Sequence, residues 1–424
     1  MLAAIANAFR VPELRRKILF TLAIIALYRV GSFIPVPGVD TSVIQAQVQD
    51  TAALNLLSLF SGGALEKFAV FSLGIMPYIT SSIIMQLLQG VIPQVERWAK
   101  EGEAGQRKIT QITRYMTLGI ATLSSLGLLT VFRSVAGALP TSGPGLPPFW
   151  FTSLVIMISL IAGTALIMWF GELITQRGIG NGMSLLIFTS IVSRFPIAIY
   201  QSVQFGSGLF TVLMFVIVLF IIAAIVYMER AQRRIPVQYA KRVIGRRVYG
   251  GSGTYIPLKI NGANVVPIIF ASAILFFPLQ LSQLVPNPPA WLTQGANALA
   301  NGPLNWSLEF VLIVFFTYFY TALVFNPIDL SDNLRKNGGF IPGVRPGTAT
   351  VRYIENVLNR ITFPGALFLG VIAVVPSMIF SATQNTLVRQ FGGTSILIMV
   401  GVALETMTQI ESQLKMRHYD GFFK

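Results

Sequence analysis

Few residues of this sequence have a type and spacing that could do chemistry, and most of them lie inside long apolar runs. The stretch "PYITSSIIMQLL" contains Thr80, Ser81, Ser82 and Gln86, whose hydroxyl and amide groups donate and accept hydrogen bonds. Such groups can join neighbouring helices of a bundle, or they can line a surface that sometimes meets a polar passenger. The residues alone leave both interpretations open.

Ionisable residues are nearly absent from the apolar runs, although ion-coupled transporters usually place them there. Arg29 lies towards the outer end of the first run, where its side chain can extend to the membrane interface. Glu405 lies inside the last run, either as a partner in helix packing or as a functional residue. With no cysteine and one histidine, His418, the chain has no pattern for a metal site.

One glycine-rich stretch superficially resembles a nucleotide-binding loop. It is "RGIGNGMS", Arg177 to Ser184, and no strand precedes it, so a tight turn that starts a helix is the better interpretation. The phosphate-binding pattern GxxxxGK[ST] does not occur in the sequence. We therefore expect neither an enzyme nor a bound cofactor.

The composition indicates that a membrane bundle positions these residues. The chain has 424 residues, of which 54% are hydrophobic and 11% charged, with a mean hydropathy of +0.68. Soluble domains carry roughly 25% charged residues. Ten apolar runs have about the length of a membrane span: Ile18–Ile34, Phe68–Ile92, Tyr115–Phe132, Phe151–Phe170, Met183–Tyr200, Leu209–Met228, Val265–Leu284, Leu308–Phe325, Ile361–Phe380 and Ile396–Ile410.

The first run is expected to be a span and not a removable signal peptide, because it continues past Arg29 into a poor cleavage site.

The basic residues orient these ten spans. The net charge is +15, and 26 of the 31 lysines and arginines fall on the side of the two termini. Only Lys67, Arg133, Arg194 and Arg389 fall on the other side, while Arg29 lies within the first span. Cytoplasmic loops collect Lys and Arg, so both termini are predicted to be cytoplasmic. This bias also explains the positive charge without invoking nucleic acid.

A long basic loop after the sixth span divides the chain into two halves of five spans, residues 1–205 and 206–424. Because five is odd, the two halves must be inverted relative to each other. Inverted halves are common in secondary transporters, so a transporter of a small solute is one candidate function. Two long basic loops, about 229–260 and 326–360, are predicted to project into the cytoplasm as arms. The first is predicted to be hairpin-like, and the second to be a short helix, a Gly/Pro turn and another helix.

Several stretches together resemble the SecY family, whose members are the large subunit of the bacterial SecYEG protein-conducting channel. They are "FSGGALEKFAVFSLGIMPYITSSIIMQLL", "RGIGNGMSLLIF", "GRRVY", "TALVFNPIDLSDNLRKNGGFIPGVRPG" and "FGGTSILI", with "PELRRKILFTL" and "PVPGVD" near the start. The resemblance implies an all-α polytopic membrane protein with ten transmembrane helices in two inverted halves around a central pore. It also implies the central subunit of a channel that passes unfolded secretory proteins across the bacterial plasma membrane. Membrane segments would leave it sideways into lipid through a gate between spans two and three and spans seven and eight.

The resemblance further implies a pore constriction made of aliphatic side chains. Carried over by motif, this ring comprises Ile75, Ile79, Met183, Ile187, Ile269 and Ile398. Met183 departs from the branched residue often found there, and its flexibility would make the ring softer at that point. An apolar constriction resists wetting and ions, and it does not bind passing sequences.

A plug is expected beneath the ring, as a short helix over about 56–68, with Leu57, Phe60, Gly62, Gly63 and Leu65 as its residues. Glu66 and Lys67 lie within this segment, and their charges are expected to be tolerated because the outer funnel of the pore holds water. In the lateral gate, Thr80 and Gln86 are the candidate polar residues.

The resemblance implies that cytosolic partners dock on the basic arms. Lys241, Arg242, Arg246 and Arg247 match the basic arm of the family, and Arg345 matches its loop arginine. The implied partners are the small subunits SecE and SecG, the motor ATPase SecA, a translating ribosome, preprotein and signal-peptide clients, and the lipid bilayer. Docking on ribosomal RNA would neutralise phosphates and would be sensitive to salt.

Overall fold

The structure is a computed structural model that describes most of the chain. The described residues are 9–50, 58, 60–133, 148–205, 208–239, 242–244, 247–249, 254–284, 289–300, 302–383 and 392–420. The elements are mainly helices, and the strands lie in the predicted cytoplasmic arms.

The first half of the chain contributes eight described helices. They are α1 (Pro12–Gly31), α2 (Thr41–Asp50), α3 (Met76–Val91), α4 (Pro93–Lys100), α5 (Glu103–Arg133), α6 (Phe149–Arg177), α7 (Gly182–Val192) and α8 (Phe195–Phe205). Proline stands in the first turn of α1, α3 and α4, where its missing N–H costs no helical hydrogen bond. The "RGIGNGMS" turn starts α7 as predicted: Asn181 Oδ1 accepts hydrogen bonds from the backbone N of Met183 and of Ser184.

The second half contributes seven described helices and all five strands. The helices are α9 (Gly208–Arg230), α10 (Val266–Leu284), α11 (Ala290–Ala300), α12 (Pro303–Val324), α13 (Pro327–Lys336), α14 (Thr348–Thr383) and α15 (Gly393–Asp420). The strands are β1 (Gln232–Tyr239), β2 (Arg242–Ile244), β3 (Arg247–Tyr249), β4 (Thr254–Lys259) and β5 (Gly339–Phe340). The expectation of an all-α chain is therefore correct for the helical body and wrong for the arms.

By length and composition, five helices in the described part of the chain could each cross a bilayer: α5, α6, α12, α14 and α15. The other predicted runs fall on α1, α3, α7 with α8, α9 and α10. Two of those runs are not single helices. The fifth run is interrupted at Ser193 and Arg194, between α7 and α8, and the second run becomes helical only at Met76.

The segment before α3 is a succession of turns rather than a helix. Within the expected plug, Ser58 and Phe60 are helical, but residues 61–75 are described almost entirely as turns. Left-handed backbone at Gly62 (φ 64°) and Gly74 (φ 58°) is incompatible with a continuous helix. A side chain at Gly62 would also approach the Cα of Ser190 to 3.0 Å, so glycine allows close packing there.

The two predicted arms form one folded unit. Strands β1 and β4 make the predicted hairpin, with Gln232 opposite Lys259. Strand β1 also pairs with β5 of the second arm, so the sheet order is β4-β1-β5. A small apolar core lies under this sheet and includes Ile235, Leu258 and Ile341. The second arm has the predicted order of short helix α13, turn and helix α14.

Helices of the two halves pack against one another in the body. Helix α10 contacts α3 and α5, and α15 contacts α7. One continuous apolar cluster runs through both halves, from Ile24 of α1 to Val402 of α15. This cluster contains the candidate site.

Candidate functional site

The six expected ring residues come from both halves and lie in the same apolar cluster. Four are almost fully buried: Ile75, Ile79, Ile187 and Ile398. Met183 and Ile269 are partly buried and pack against them or their neighbours in the cluster. The structure therefore gathers side chains from the start of α3, from α7, from α10 and from α15, which are far apart in sequence. Aliphatic side chains have no group that donates or accepts a hydrogen bond, so they offer nothing to hold a passing peptide.

Met183 packs towards helix α6. A Cβ atom placed at Gly171 would lie only 2.3 Å from its Sδ, so glycine at position 171 makes the room that the thioether occupies. Methionine suits such an irregular gap because it is unbranched and flexible. The expected softness of the ring at this position stays a prediction.

The turn segment 61–75 is anchored at its C-terminal part by apolar packing and backbone pairing. Phe68 is fully buried, and its ring meets that of Phe132 edge-on at a centroid distance of 5.3 Å. Its carbonyl accepts a hydrogen bond from Val36 N at 2.9 Å, and Val70 N donates to Ile34 O at 3.0 Å. Of the expected plug residues, Leu65 is buried within the cluster and Phe60 packs against it, while Leu57 lies outside the described residues.

Charge adds to this packing in the N-terminal part of the same segment. Glu66 forms an ion pair with Arg194 and accepts a hydrogen bond from Ser58 Oγ at 3.0 Å. Arg29 Nη1 donates to the carbonyl of Gly62 and to Ser193 Oγ, at 3.0 Å in each case. The charge of Glu66 is thus compensated by a side-chain cation, a partner that the sequence did not indicate.

Lys67 takes no part in this ion pair and instead makes a cation–π contact. Its Nζ lies 3.4 Å from the ring centroid of Phe33, which also faces Arg29 at 5.2 Å. Burial and then the nearby charge of Arg29 lower the pKa of Lys67, while the charge of Glu66 raises it. Three cations and one carboxylate therefore share this region. The sequence contained a signal for it, since Arg29, Lys67 and Arg194 were three of the few basic residues not assigned to the cytoplasm.

The candidate gate residues on α3 differ in how their polar atoms are satisfied. Thr80 Oγ1 donates to Met76 O at 3.0 Å, within its own helix. Gln86 Oε1 is buried and has no hydrogen-bond partner in the described part of the chain. Further along α3, a Cβ at Gly90 would lie 3.8 Å from Leu323 Cδ1 of α12, so the two halves meet there. Of the two residues, only Gln86 retains a free hydrogen-bonding atom.

Three of the five expected docking residues lie in the described parts of the arms. Arg242 pairs with Tyr249 and Arg247 with Ile244 in the β2–β3 hairpin, while Lys241 and Arg246 lie outside the described residues. Arg345 is exposed in the turn that follows β5. Its carbonyl accepts a hydrogen bond from Thr350 Oγ1 at 2.9 Å, so the backbone of the turn is fixed while the side chain faces solvent.

A polar contact fixes the base of the first arm to the helical body. Asn261 Nδ2 donates to Glu229 Oε1 at 2.6 Å and to Asn264 O at 3.0 Å. Glu405 of α15 is half-buried and lies near enough to Glu229 for its charge to act on it. In the described residues, no group of three or more His, Asp and Glu side chains could hold a metal ion.

Comparisons with known proteins agree with this geometry. The SecY family model matches residues 69–407. The chain is 50% identical over its full length to the protein translocase subunit SecY of Streptomyces galbus, and 46% identical to that of Mycobacterium bovis, with 100% of each protein covered.

Solved structures show the same fold at low sequence identity. A SecY channel studied for its plug domain covers 93% of this chain with a TM-score of 0.65 and 17% identity, and 91% of that chain is covered. Sec61 from a canine ribosome-channel complex gives a TM-score of 0.61 at 15% identity, with the same coverage of both chains. From the family match and its extent, the chain belongs to the SecY family.

Proposed function

We propose that this chain is the central pore-forming subunit of a Sec protein translocation channel. As a SecY family member it is a translocase subunit and not an enzyme. The finer parts of the proposal are ten spans in two inverted halves, a pore ring, a plug, a lateral gate and a docking surface. Unfolded secretory proteins pass through the pore, and membrane segments leave sideways into lipid.

One observation carries this proposal. The six ring candidates originate on four separate elements of both halves, and they fall in a single apolar cluster with the turn segment 61–75 packed into it. A small-solute transporter would need polar or ionisable groups that bind its substrate in the region between its two halves. The ring candidates offer only apolar surface, which suits a conduit for many different sequences.

The seal follows from the physical properties of these side chains. An apolar constriction disfavours water and ions, and it closes around a passing chain without forming hydrogen bonds to it. The plug supports the closed state from the outer side. Residues 58 and 60–67 are its described head, and residues 68–74 are its anchor.

The lateral gate is proposed at the contact of α3 and α5 with α10 and α12. Gln86 supplies a buried carbonyl oxygen with no described partner on the α3 side. A polar atom that is not satisfied in the closed state lowers the cost of opening, because opening brings it to water or to the incoming chain.

Docking of cytosolic partners is proposed on the joined arms. The solved relatives include channels in complex with ribosomes, which supports a similar role for the exposed Arg345 and the β2–β3 hairpin. SecA, a translating ribosome, and the small subunits SecE and SecG are the proposed partners. The proposed location is the bacterial plasma membrane, with both termini in the cytoplasm, as the charge distribution predicts.

Reconstitution tests the proposal directly. The chain is placed in vesicles with SecE and SecG, SecA is added outside, and a signal-bearing preprotein is offered with ATP. Protease protection of the preprotein that requires ATP is the expected result. No protection with either SecA or ribosomes, together with uptake of a small solute, would overturn the proposal.

A further inference from the structure

The plug head is attached by polar contacts that are largely shielded from solvent. The side chains of Arg194 and Glu66 in their ion pair are 12% and 19% exposed. Ser58 bridges the two, because its Oγ donates to Glu66 Oε1 and accepts from Arg194 Nη1 at 3.2 Å. Shielding from water makes such a pair stronger than a pair on an open surface.

A second cation holds the same head from another helix. Arg29 of α1 donates to the Gly62 carbonyl, and it also bonds Ser193 Oγ in the break between α7 and α8. At that break Arg194 contacts the head directly, while Ser193 binds Arg29, which in turn holds the Gly62 carbonyl. We call Ser58, Glu66, Arg29, Arg194 and the Gly62 carbonyl the plug latch.

Both cations of the plug latch belong to the first half of the chain. Arg29 lies on α1 and Arg194 lies between α7 and α8, so these contacts do not cross to α9–α15. The contact between halves at the proposed gate runs instead from α10 to α3 and α5, and from Leu323 of α12 to Gly90 of α3. Pulling the halves apart there would leave the plug latch intact.

The anchor differs from the head in the chemistry of its attachment. Phe68 and Ala69 are fully buried, and backbone pairing joins the anchor to residues 34–36. The head shares the apolar burial of the anchor, since Ala64 and Leu65 are fully buried in the same cluster. It differs because its attachment to α1 and to the α7–α8 break runs through an ion pair and side-chain hydrogen bonds, which a competing charge can replace.

We propose that the plug latch fastens the plug head to the first half alone, so that release of the plug and opening of the lateral gate are separate steps. This inference rests on the proposed channel function. It assigns a role to Arg29, Arg194 and Glu66, and it makes the break between α7 and α8 part of the closing device.

The test uses the full chain with SecE and SecG in proteoliposomes, with ion leak as the first readout. Glu66→Gln and Arg194→Gln each remove one partner and leave the other charge poorly compensated, so we expect the resting leak to rise about tenfold. The exchange Glu66→Arg with Arg194→Glu restores an ion pair and should bring the leak back to within about twofold of the original protein. Glu96→Gln removes a carboxylate from an exposed pair with Lys100 and should change nothing.

Crosslinking reports the gate in the same vesicles. The chain has no cysteine, so Gly90→Cys and Leu323→Cys can be joined by a short bismaleimide with no background from other thiols of this chain. The crosslinking yield should be the same with and without Glu66→Gln, because the latch does not hold the gate.

Three results would overturn the inference. They are an unchanged leak in Glu66→Gln, an exchange variant as leaky as the single variants, or a loss of the crosslink whenever the leak rises. ATP-dependent preprotein protection by the unsubstituted channel is measured in parallel. If that protection fails, the channel function is wrong; if it succeeds while the leak is unchanged, only the latch is wrong.

Discussion

Tyr28 Oη and Ser190 Oγ lie 2.6 Å apart in the buried interior and join α1 to α7. The ring of Tyr28 also stacks on Phe71 of the turn segment, with 5.7 Å between centroids. This one side chain therefore connects two helices of the first half and the plug anchor. The hydroxyl of Ser190 also donates a hydrogen bond to Leu186 O at 3.0 Å, so it still has a partner when the Tyr28 hydroxyl is removed.

The two parts of Tyr28 should contribute unequally to stability. Tyr28→Phe removes only the shared hydrogen bond and should lower the free energy of unfolding by about 1 kcal/mol. Tyr28→Ala also removes the ring and should cost about 3–5 kcal/mol. Unfolding in mixed detergent micelles measures both values, and Tyr227→Phe, at an exposed tyrosine, is the control. Equal losses in the two Tyr28 variants would contradict the packing role of the ring.

Truncating the ring residues should open the seal more than truncating their neighbours. Ile75→Ala with Ile79→Ala should increase ion conductance in planar bilayers, because the shorter side chains leave a wider and more easily wetted constriction. Ile83→Ala is the matched control, since it is the same change one turn further along α3 at another buried isoleucine. If Ile83→Ala leaks as much as the double variant, conductance reflects loss of stability and not the ring.

Deleting the plug head and deleting the anchor should have different effects. Removal of residues 58–67 should leave a folded channel that leaks. Removal of 58–74 also takes away Phe68 and its contact with Phe132, which should destabilise the first half by several kcal/mol, as expected for a buried aromatic residue. Thermal unfolding monitored with conductance separates the two results. Equal stability of the two deletions would refute the division into head and anchor.

Arg345 should act in docking without contributing to folding. Because its side chain is exposed while the backbone of its turn is fixed, Arg345→Glu should reduce SecA-driven translocation and leave thermal stability unchanged. Arg107→Glu reverses an exposed charge on α5 and serves as the control. Activity like that of the unsubstituted protein would remove Arg345 from the docking surface.

The pairing of the two arms should depend on the absence of a side chain at Gly339. A Cβ there would lie 2.9 Å from Tyr239 Cε1, so Gly339→Val should separate β5 from β1. Limited trypsin digestion should then cut the second arm faster. Gly262→Val is the control, because a Cβ at that glycine meets no atom closer than 4.0 Å. Unchanged digestion of Gly339→Val would show that the arms are held by other contacts.

The sequence by itself determined features that depend on local chemistry. Apolar run length located the helices of the body, since each run must satisfy its own backbone in lipid. The turn "RGIGNGMS" was predicted to start a helix, and Asn181 caps α7 there. The family was recognised from ordered motifs, and full-length relatives confirm it.

Only the tertiary structure decided which distant residues meet. Glu66 lies 128 residues from Arg194 in the chain, and Tyr239 lies 100 residues from Gly339. Neither pairing can be inferred from a periodic pattern or a residue spacing in the sequence, because each depends on how whole helices and arms pack. The helix period and the charge bias report the environment of each segment separately. For the same physical reason, the sequence showed a broken span before α3, and the fold was needed to show that apolar burial holds both parts of it while Arg29 and Arg194 also bind the first part.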